Sequence, residues 1–238
     1  TPTDTQIVIT TAAQAIDAST AVTVTVTGLT MGGTPTAGGG VSVATSVDQT
    51  ASASVASGVI GGAVTSVTFG VALADRVANK TSAAATFTFT TTAGGALAAG
   101  SSITLTYPSG FFASAGSPSV QISGGGATGS VATPTGTQIV ITTAAQAING
   151  STAVTVTVTG LTMGVAMASS SNGVTVRTSA DQTASSGVSS GAIGGQVTST
   201  SFAMAASDRV TNKALAAATI SFTTAARGAL EAGDIIAL

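Results

Sequence analysis

Residues 1–31, TPTDTQIVITTAAQAIDASTAVTVTVTGLTM, recur at residues 133–163 with changes only at Asp4, Asp17 and Ala18, which become Gly136, Asn149 and Gly150. The correspondence continues along the chain. SVDQT at 46–50 matches SADQT at 179–183, ADRVANK at 74–80 matches SDRVTNK at 207–213, and GALAAGSSITL ending at Leu105 matches GALEAGDIIAL ending at Leu238. Repetition at a fixed period of about 133 residues is the signature of an array whose units fold alike and do the same job several times.

The Gly-rich segment GVIGG at 58–62 has its counterpart in GAIGG at 191–195, and together they supply a frame. Residues 1–62 are then the C-terminal part of one unit, 63–195 a complete unit, and 196–238 the N-terminal part of the next. On this reading the chain is a window on a longer protein, and Gly58, Gly61, Gly62, Gly191, Gly194 and Gly195 are the hinges between units.

Local patterning is β throughout. AVTVTVTG, at 21–28 and again at 153–160, alternates strictly and places Val22, Val24 and Val26 on one face and Thr23, Thr25 and Thr27 on the other. Thr is β-branched, so even the polar face favours a pleated surface. The same alternation puts Phe87 and Phe89 inward in TFTFT, and Ile103, Leu105 and Tyr107 inward in SITLTY. Further strands are expected at residues 5–11, 63–71, 118–123 and 173–179. Turns are expected at Pro108-Ser109-Gly110, Gly124-Gly125-Gly126 and Asn149-Gly150. The Ala-rich stretches 93–100 and 142–148 are too short and too Gly- or Thr-flanked for helices and are read as strand connections. Seven or more short strands per unit, each with one apolar face, predict two sheets packed face to face.

Composition excludes several function classes. Charged residues make up 6% of the chain, its net charge is −2, and His, Cys and Trp are absent. No basic footprint for nucleic acid or an anionic membrane exists, and no apolar run is long enough to span a bilayer. A chain this apolar can bury enough surface to order itself. Without His or Cys the usual general base, thiol nucleophile and zinc ligands are missing. Asp4, Asp17, Asp48, Asp75, Asp181, Asp208, Glu231 and Asp234 are scattered, and Lys80 and Lys213 lie near hydroxyls only because hydroxyls are everywhere. No enzymatic activity, cofactor or metal is expected.

Several motifs stand out against this background. GGGATG at 124–129 spells a phosphate-binding loop but leads into a strand and lacks an acidic partner, so it reads as a hairpin loop, and residues 95–101 resemble a P-loop without its Lys. Asp75-Arg76 and Asp208-Arg209 are the charged dipeptides common to both copies. They read either as a ligand or calcium site or as a turn in which Asp caps and Arg covers the sheet end; we adopt the turn, because calcium needs six to eight oxygens. Asp48 and Asp181, close to the hinges, could bridge units through a cation. Thr23, Thr25 and Thr27 resemble the Thr ranks of ice-binding faces, although solvated β-propensity explains them better. Asn79-Lys80-Thr81 and Asn149-Gly150-Ser151 are glycosylation sequons in expected surface turns. Loops 32–47 and 164–180 share little sequence and are read as unconstrained surface rather than recognition sites.

The series SGVIGGAVTSVTF, ADRV, TYPSGFF, QISGGGATG and GLTMG, which runs through residues 57–164, resembles the Thr/Ala/Gly-rich tandem repeats of giant surface proteins of marine unicellular algae, and more loosely the Ig-like repeats of bacterial adhesins. The resemblance implies an extracellular string of β-sandwiches and carries no functional residue. The expectation is therefore an all-β chain of tandem Ig-like antiparallel sandwiches forming a stalk, fibre or surface filament. The alternative is an adhesin whose repeats are spacers or bind carbohydrate or a solid surface such as ice. The partners expected are neighbouring units or copies of the same protein, and glycans; nucleic acid and membrane insertion are not expected.

Overall fold

In the computed structural model, residues 3, 5–12, 14–225, 230 and 235–237 are described. Asp4, Glu231 and Asp234 of the carboxylate inventory lie outside them, as does most of the GALEAGDIIAL segment. The chain forms two compact units, Thr1–Gly33 and Thr34–Leu238.

The larger unit is all-β and antiparallel. Its strands are β1 (Gly40–Val41), β2 (Val55–Ala56), β3 (Thr65–Val71), β4 (Ala83–Thr90), β5 (Ser102–Thr106), β6 (Ser119–Ser123), β7 (Ala127–Val131), β8 (Gln138–Ala145), β9 (Ala153–Leu161), β10 (Thr175–Thr178), β11 (Thr198–Met204) and β12 (Ala218–Thr223). Single turns of 3-10 helix, Leu73–Asp75 and Ala206–Asp208, follow β3 and β11. Two four-stranded sheets, in the orders β3-β4-β9-β6 and β10-β5-β8-β7, hold the core between them. All eight of these strands lie inside the frame 63–195 read from the sequence.

Period-two alternation explains the packing. In β9, Val154, Val156 and Val158 are buried while Thr155, Thr157 and Thr159 turn outward. They meet Phe89, Phe87 and Ala85 of β4 across the ladder, and Ile103 and Leu105 of β5 pair with Ile141 and Ile139 of β8. Burying each such side chain contributes about 1.5–3 kcal/mol. The TYPSGFF segment closes one end with an aromatic cluster, in which Phe112 stands edge-on to Tyr107 at 5.0 Å and to Phe111 at 4.9 Å. Gly124, Gly125 and Gly126 all have positive φ (112°, 71° and 73°) and carry the chain from β6 in one sheet to β7 in the other. Their spacing serves this sheet change.

Tyr107, the only tyrosine of the chain, is buried and donates its hydroxyl to the Thr135 carbonyl at 2.8 Å. Burial pushes its phenol pKa well above the usual range. Above pH of about 10 the unfolded chain ionises this phenol while the folded chain keeps it neutral, so the phenol's contribution to stability is lost as pH rises. Tyr107→Phe is expected to cost about 1 kcal/mol at neutral pH. It should also flatten the alkaline fall in stability, a result read by urea denaturation at neutral and alkaline pH.

The smaller unit corrects one expectation. Residues 5–11 and 21–28 alternate as β8 and β9 do and share their sequence, yet the described residues of Thr1–Gly33 contain no strand. A strand needs a ladder. β8 is hydrogen-bonded to β5 and β7, and β9 to β4 and β6, and residues 1–33 include no counterpart of those four partners. With no neighbour to satisfy its N–H and C=O groups, the same sequence stays irregular. Ile7, Ile9 and Val24 are accordingly exposed where Ile139, Ile141 and Val156 are buried.

Candidate functional site

The first Gly-rich segment is held by a carboxylate 119 residues further along the chain. After β10, Thr178 and Asp181 close a turn in which the Asp181 N–H donates to Thr178 Oγ1 (2.8 Å) and the Thr178 N–H donates to the Asp181 carbonyl (2.9 Å). This turns the Asp181 side chain inward, where the residue is fully buried. Its Oδ1 accepts the Gly62 N–H (2.9 Å) and the Thr92 hydroxyl, and its Oδ2 accepts the Thr92 N–H (3.0 Å). Three donors converging on one buried carboxylate form charge-assisted bonds, the strong class. The Thr183 N–H also donates to the Gly62 carbonyl (3.1 Å) beside a parallel bridge between Ala63 and Thr183.

Close approach explains the glycines here. A Cβ on Gly61 would strike the Ala180 carbonyl, and one on Gly95 would strike the Asp181 carboxylate. On Gly62 it would meet Pro35 Cγ at 2.5 Å and Thr92 Cγ2 at 3.6 Å. Gly58 has φ of 83°, in the left-handed region.

The second Gly-rich segment repeats part of this arrangement. Gly195 lies against Ala166 and Ala225, and Ala225 is the sequence counterpart of Thr92. Gly194 donates to the Arg76 carbonyl (2.9 Å) and accepts from the Ala78 N–H (3.0 Å). Gly191, with φ of 70°, leaves room for the Arg76 guanidinium, whose Nε donates to the Val71 carbonyl (2.9 Å). Asp75 Oδ2 accepts the Ala84 N–H at 3.3 Å, tying the 3-10 turn to β4, and Lys80 Nζ lies 3.8 Å from Oδ1. Asp208 repeats the tie with the Ala217 N–H at the same distance, 3.3 Å. The recurring Asp-Arg pair thus closes a turn through Asp, and Arg76 packs on the second Gly-rich segment.

Asp48, the counterpart of Asp181, forms the same local turn with Thr45 and is exposed. Among the described residues no cluster of three or more acidic side chains could hold a metal ion, and no helix is long and apolar enough to cross a membrane. Asn79, with φ of 59°, and Asn149 are both exposed; the Asn149 carbonyl accepts the Thr91 hydroxyl (3.0 Å).

The Thr-rich outer face of the β3-β4-β9-β6 sheet spends hydroxyls on cross-strand pairs. Thr68 bonds Thr88 (2.7 Å), Thr86 bonds Thr157 (3.1 Å) and Ser119 bonds Thr159 (2.8 Å). Residues 164–180 are not unconstrained surface: they include β10, paired with β5, with Val174 and Val176 buried, and bridges join Met167 to Ile193 and Val174 to Val188, while residues 32–47 are tied by the Thr36–Ile60 bridge and the β1–β2 pair.

Beyond the second Gly-rich segment lies an apolar groove of about 360 Å³, lined by Val197, Ile220, Phe222, Leu230 and Ile236. These residues are the counterparts of Val64, Phe87, Phe89, Leu97 and Ile103, all buried in the two-sheet core. Sequence reasoning found the recurring DQT and DRV motifs but not their partners, and it did not anticipate the groove. Comparison of the chain with protein-family models, with curated proteins and with solved structures returns no match.

Proposed function

We propose that this chain is part of an extracellular structural repeat protein, in which tandem Ig-like sandwiches of about 133 residues form a stalk, fibre or surface filament without catalysis. The repeated pairing of one hairpin carries the reading. β11 and β12 pair as Thr198 with Thr223, Ser201 with Ser221 and Phe202 with Ile220. β3 and β4 pair at the corresponding positions, Thr65 with Thr90, Thr68 with Thr88 and Phe69 with Phe87. Even the irregularity recurs, with Ser66 and Ser199 both at φ of 52°. The contacts of Gly62 with Pro35 and Thr92, and of Gly195 with Ala166 and Ala225, support a junction of one design. The resemblance to the repeats of giant algal surface proteins fits the same picture.

The mechanism is mechanical and geometric. Each unit holds its own core, close-packed glycines limit the angle between units, and like units present like contacts at regular intervals. Scarce charge leaves stability little affected by salt, and scarce Lys and Arg leave few cleavage sites for trypsin-like proteases. Exposed Asn79 and Asn149 can carry glycans without disturbing the core.

Negative-stain electron microscopy of native material tests the proposal. Ordered fibres with an axial repeat of one or two sandwich lengths are the expected result. Flexible single strings ending in a distinct head would instead make these units the stalk of an adhesin.

A further inference from the structure

The strands of both four-stranded sheets pair antiparallel throughout. Among the described residues just two pairings run parallel, the single bridges from Ala63 to Thr183 and from Val77 to Gly194. Each joins an early segment of the unit 63–195 to a late one. Where the chain enters, the Thr183 N–H donates to the Gly62 carbonyl (3.1 Å) and the Gly62 N–H to Asp181 Oδ1 (2.9 Å). Where it leaves, the Gly194 N–H donates to the Arg76 carbonyl (2.9 Å) and the Ala78 N–H to the Gly194 carbonyl (3.0 Å). The described chain continues on both sides, through the Thr36–Ile60 bridge before the unit and the β11–β12 hairpin after it. A pull along the chain therefore reaches the unit at Gly62 and Gly195.

We propose that this unit bears tension along the chain, and that the two parallel bridges, braced by Asp181, are the clamp that resists it. The direction of pairing decides how a pull is felt. Tension draws the entering segment back toward its N-terminus and the leaving segment on toward its C-terminus. In an antiparallel pair those two directions coincide, and the bonds open one at a time from the end. In a parallel pair they are opposed, so the segments must slide past each other and the bonds between them break together. Asp181 strengthens the entry side: it is fully buried, and besides Gly62 it holds the N–H and hydroxyl of Thr92, just past the end of β4. Load on Gly62 thus passes through charge-assisted bonds to an inner strand of the β3-β4-β9-β6 sheet. On the exit side the Arg76 guanidinium packs against Gly191, and its Nε donates to the Val71 carbonyl at the end of β3 (2.9 Å). The inference rests on the stalk or fibre reading above and states how such a unit stays folded under load.

Single-molecule force spectroscopy on the 238-residue chain, held by its two ends, tests this. The expected trace has one dominant rupture that releases the unit of about 133 residues, roughly 440–480 Å of extended chain. Forced unfolding follows the unfolding barrier rather than equilibrium stability, so it separates clamp residues from core residues. Asp181→Ala and Ile141→Ala are expected to lose similar stability in denaturant, yet Asp181→Ala should lower the rupture force the more. Thr92→Val, which deletes only the hydroxyl donor to Asp181, is the milder clamp variant and keeps the test decisive where Asp181→Ala does not fold. Both clamp variants should lower the rupture force more, per unit of stability lost in denaturant, than Ile141→Ala does. The same drop per unit of stability in all three, or a unit that gives way in successive small steps, would overturn the proposal. Neither result bears on the axial repeat of native fibres, which decides the filament reading separately.

Discussion

Asp181→Ala is expected to lower the unfolding free energy by about 3–5 kcal/mol. The carboxylate is fully buried and accepts from the Gly62 N–H, the Thr92 N–H and the Thr92 hydroxyl. Truncation orphans three donors at once, two of them backbone groups with no freedom to turn elsewhere. Each buried unsatisfied donor costs about 1–3 kcal/mol, and the sum is reduced where water enters the space left behind. Asp181→Asn keeps the shape but one of its two heads becomes a donor facing donors, so it should recover only part of the loss. Asp48→Ala is the control. It sits in the same turn sequence, is exposed, and its side chain makes no hydrogen bond among the described residues, so stability should barely change. Denaturant titrations of the three variants read the differences as shifts in midpoint at constant slope. Equal losses for Asp48→Ala and Asp181→Ala would mean that the turn, and not the buried carboxylate, carries the energy.

The strands of the two sheets were legible because alternation encodes which face is buried. Phe87, Phe89, Ile103, Leu105 and Tyr107 were read as inward and are buried. Alternation says nothing about whether a ladder partner exists, and that is why residues 5–11 and 21–28 were read as strands that the structure does not form. β7 was harder to place within GGGATGSV, since an edge strand pairing only with β8 buries Ala127 and little else and needs no strong pattern. The junction was half visible. SADQT and ADRV stood out because they recur, but Asp181 bonds residues 89 and 119 positions away. Nothing local marks such a pairing, and one carboxylate among many hydroxyls has no spacing to betray it. The Gly-rich segments were read as hinges from composition. Their glycines also serve close approach, which a sequence without coordinates cannot distinguish from freedom of rotation.

One identical sequence in two settings permits a second test with a large effect. Ile141 and Ile9 share the neighbourhood TQIVITTAAQAI, so their intrinsic strand propensity and local unfolded-state structure are the same. Ile141 is 0% exposed opposite Ile103, whereas Ile9 is 56% exposed. Ile141→Ala removes three methyl or methylene groups from a packed core and leaves a cavity that the two sheets cannot close without bending. A loss of about 3–4 kcal/mol is expected. Ile9→Ala removes surface that water already touches and should change stability by less than about 0.5 kcal/mol. Circular dichroism during urea denaturation of both variants supplies the comparison. Comparable losses would mean that residues 5–11 are covered, and would undercut the account of the irregular segment. A large difference would place the energy of this fold in the pairing of strands across the core, since the letters on the strand are the same in both places.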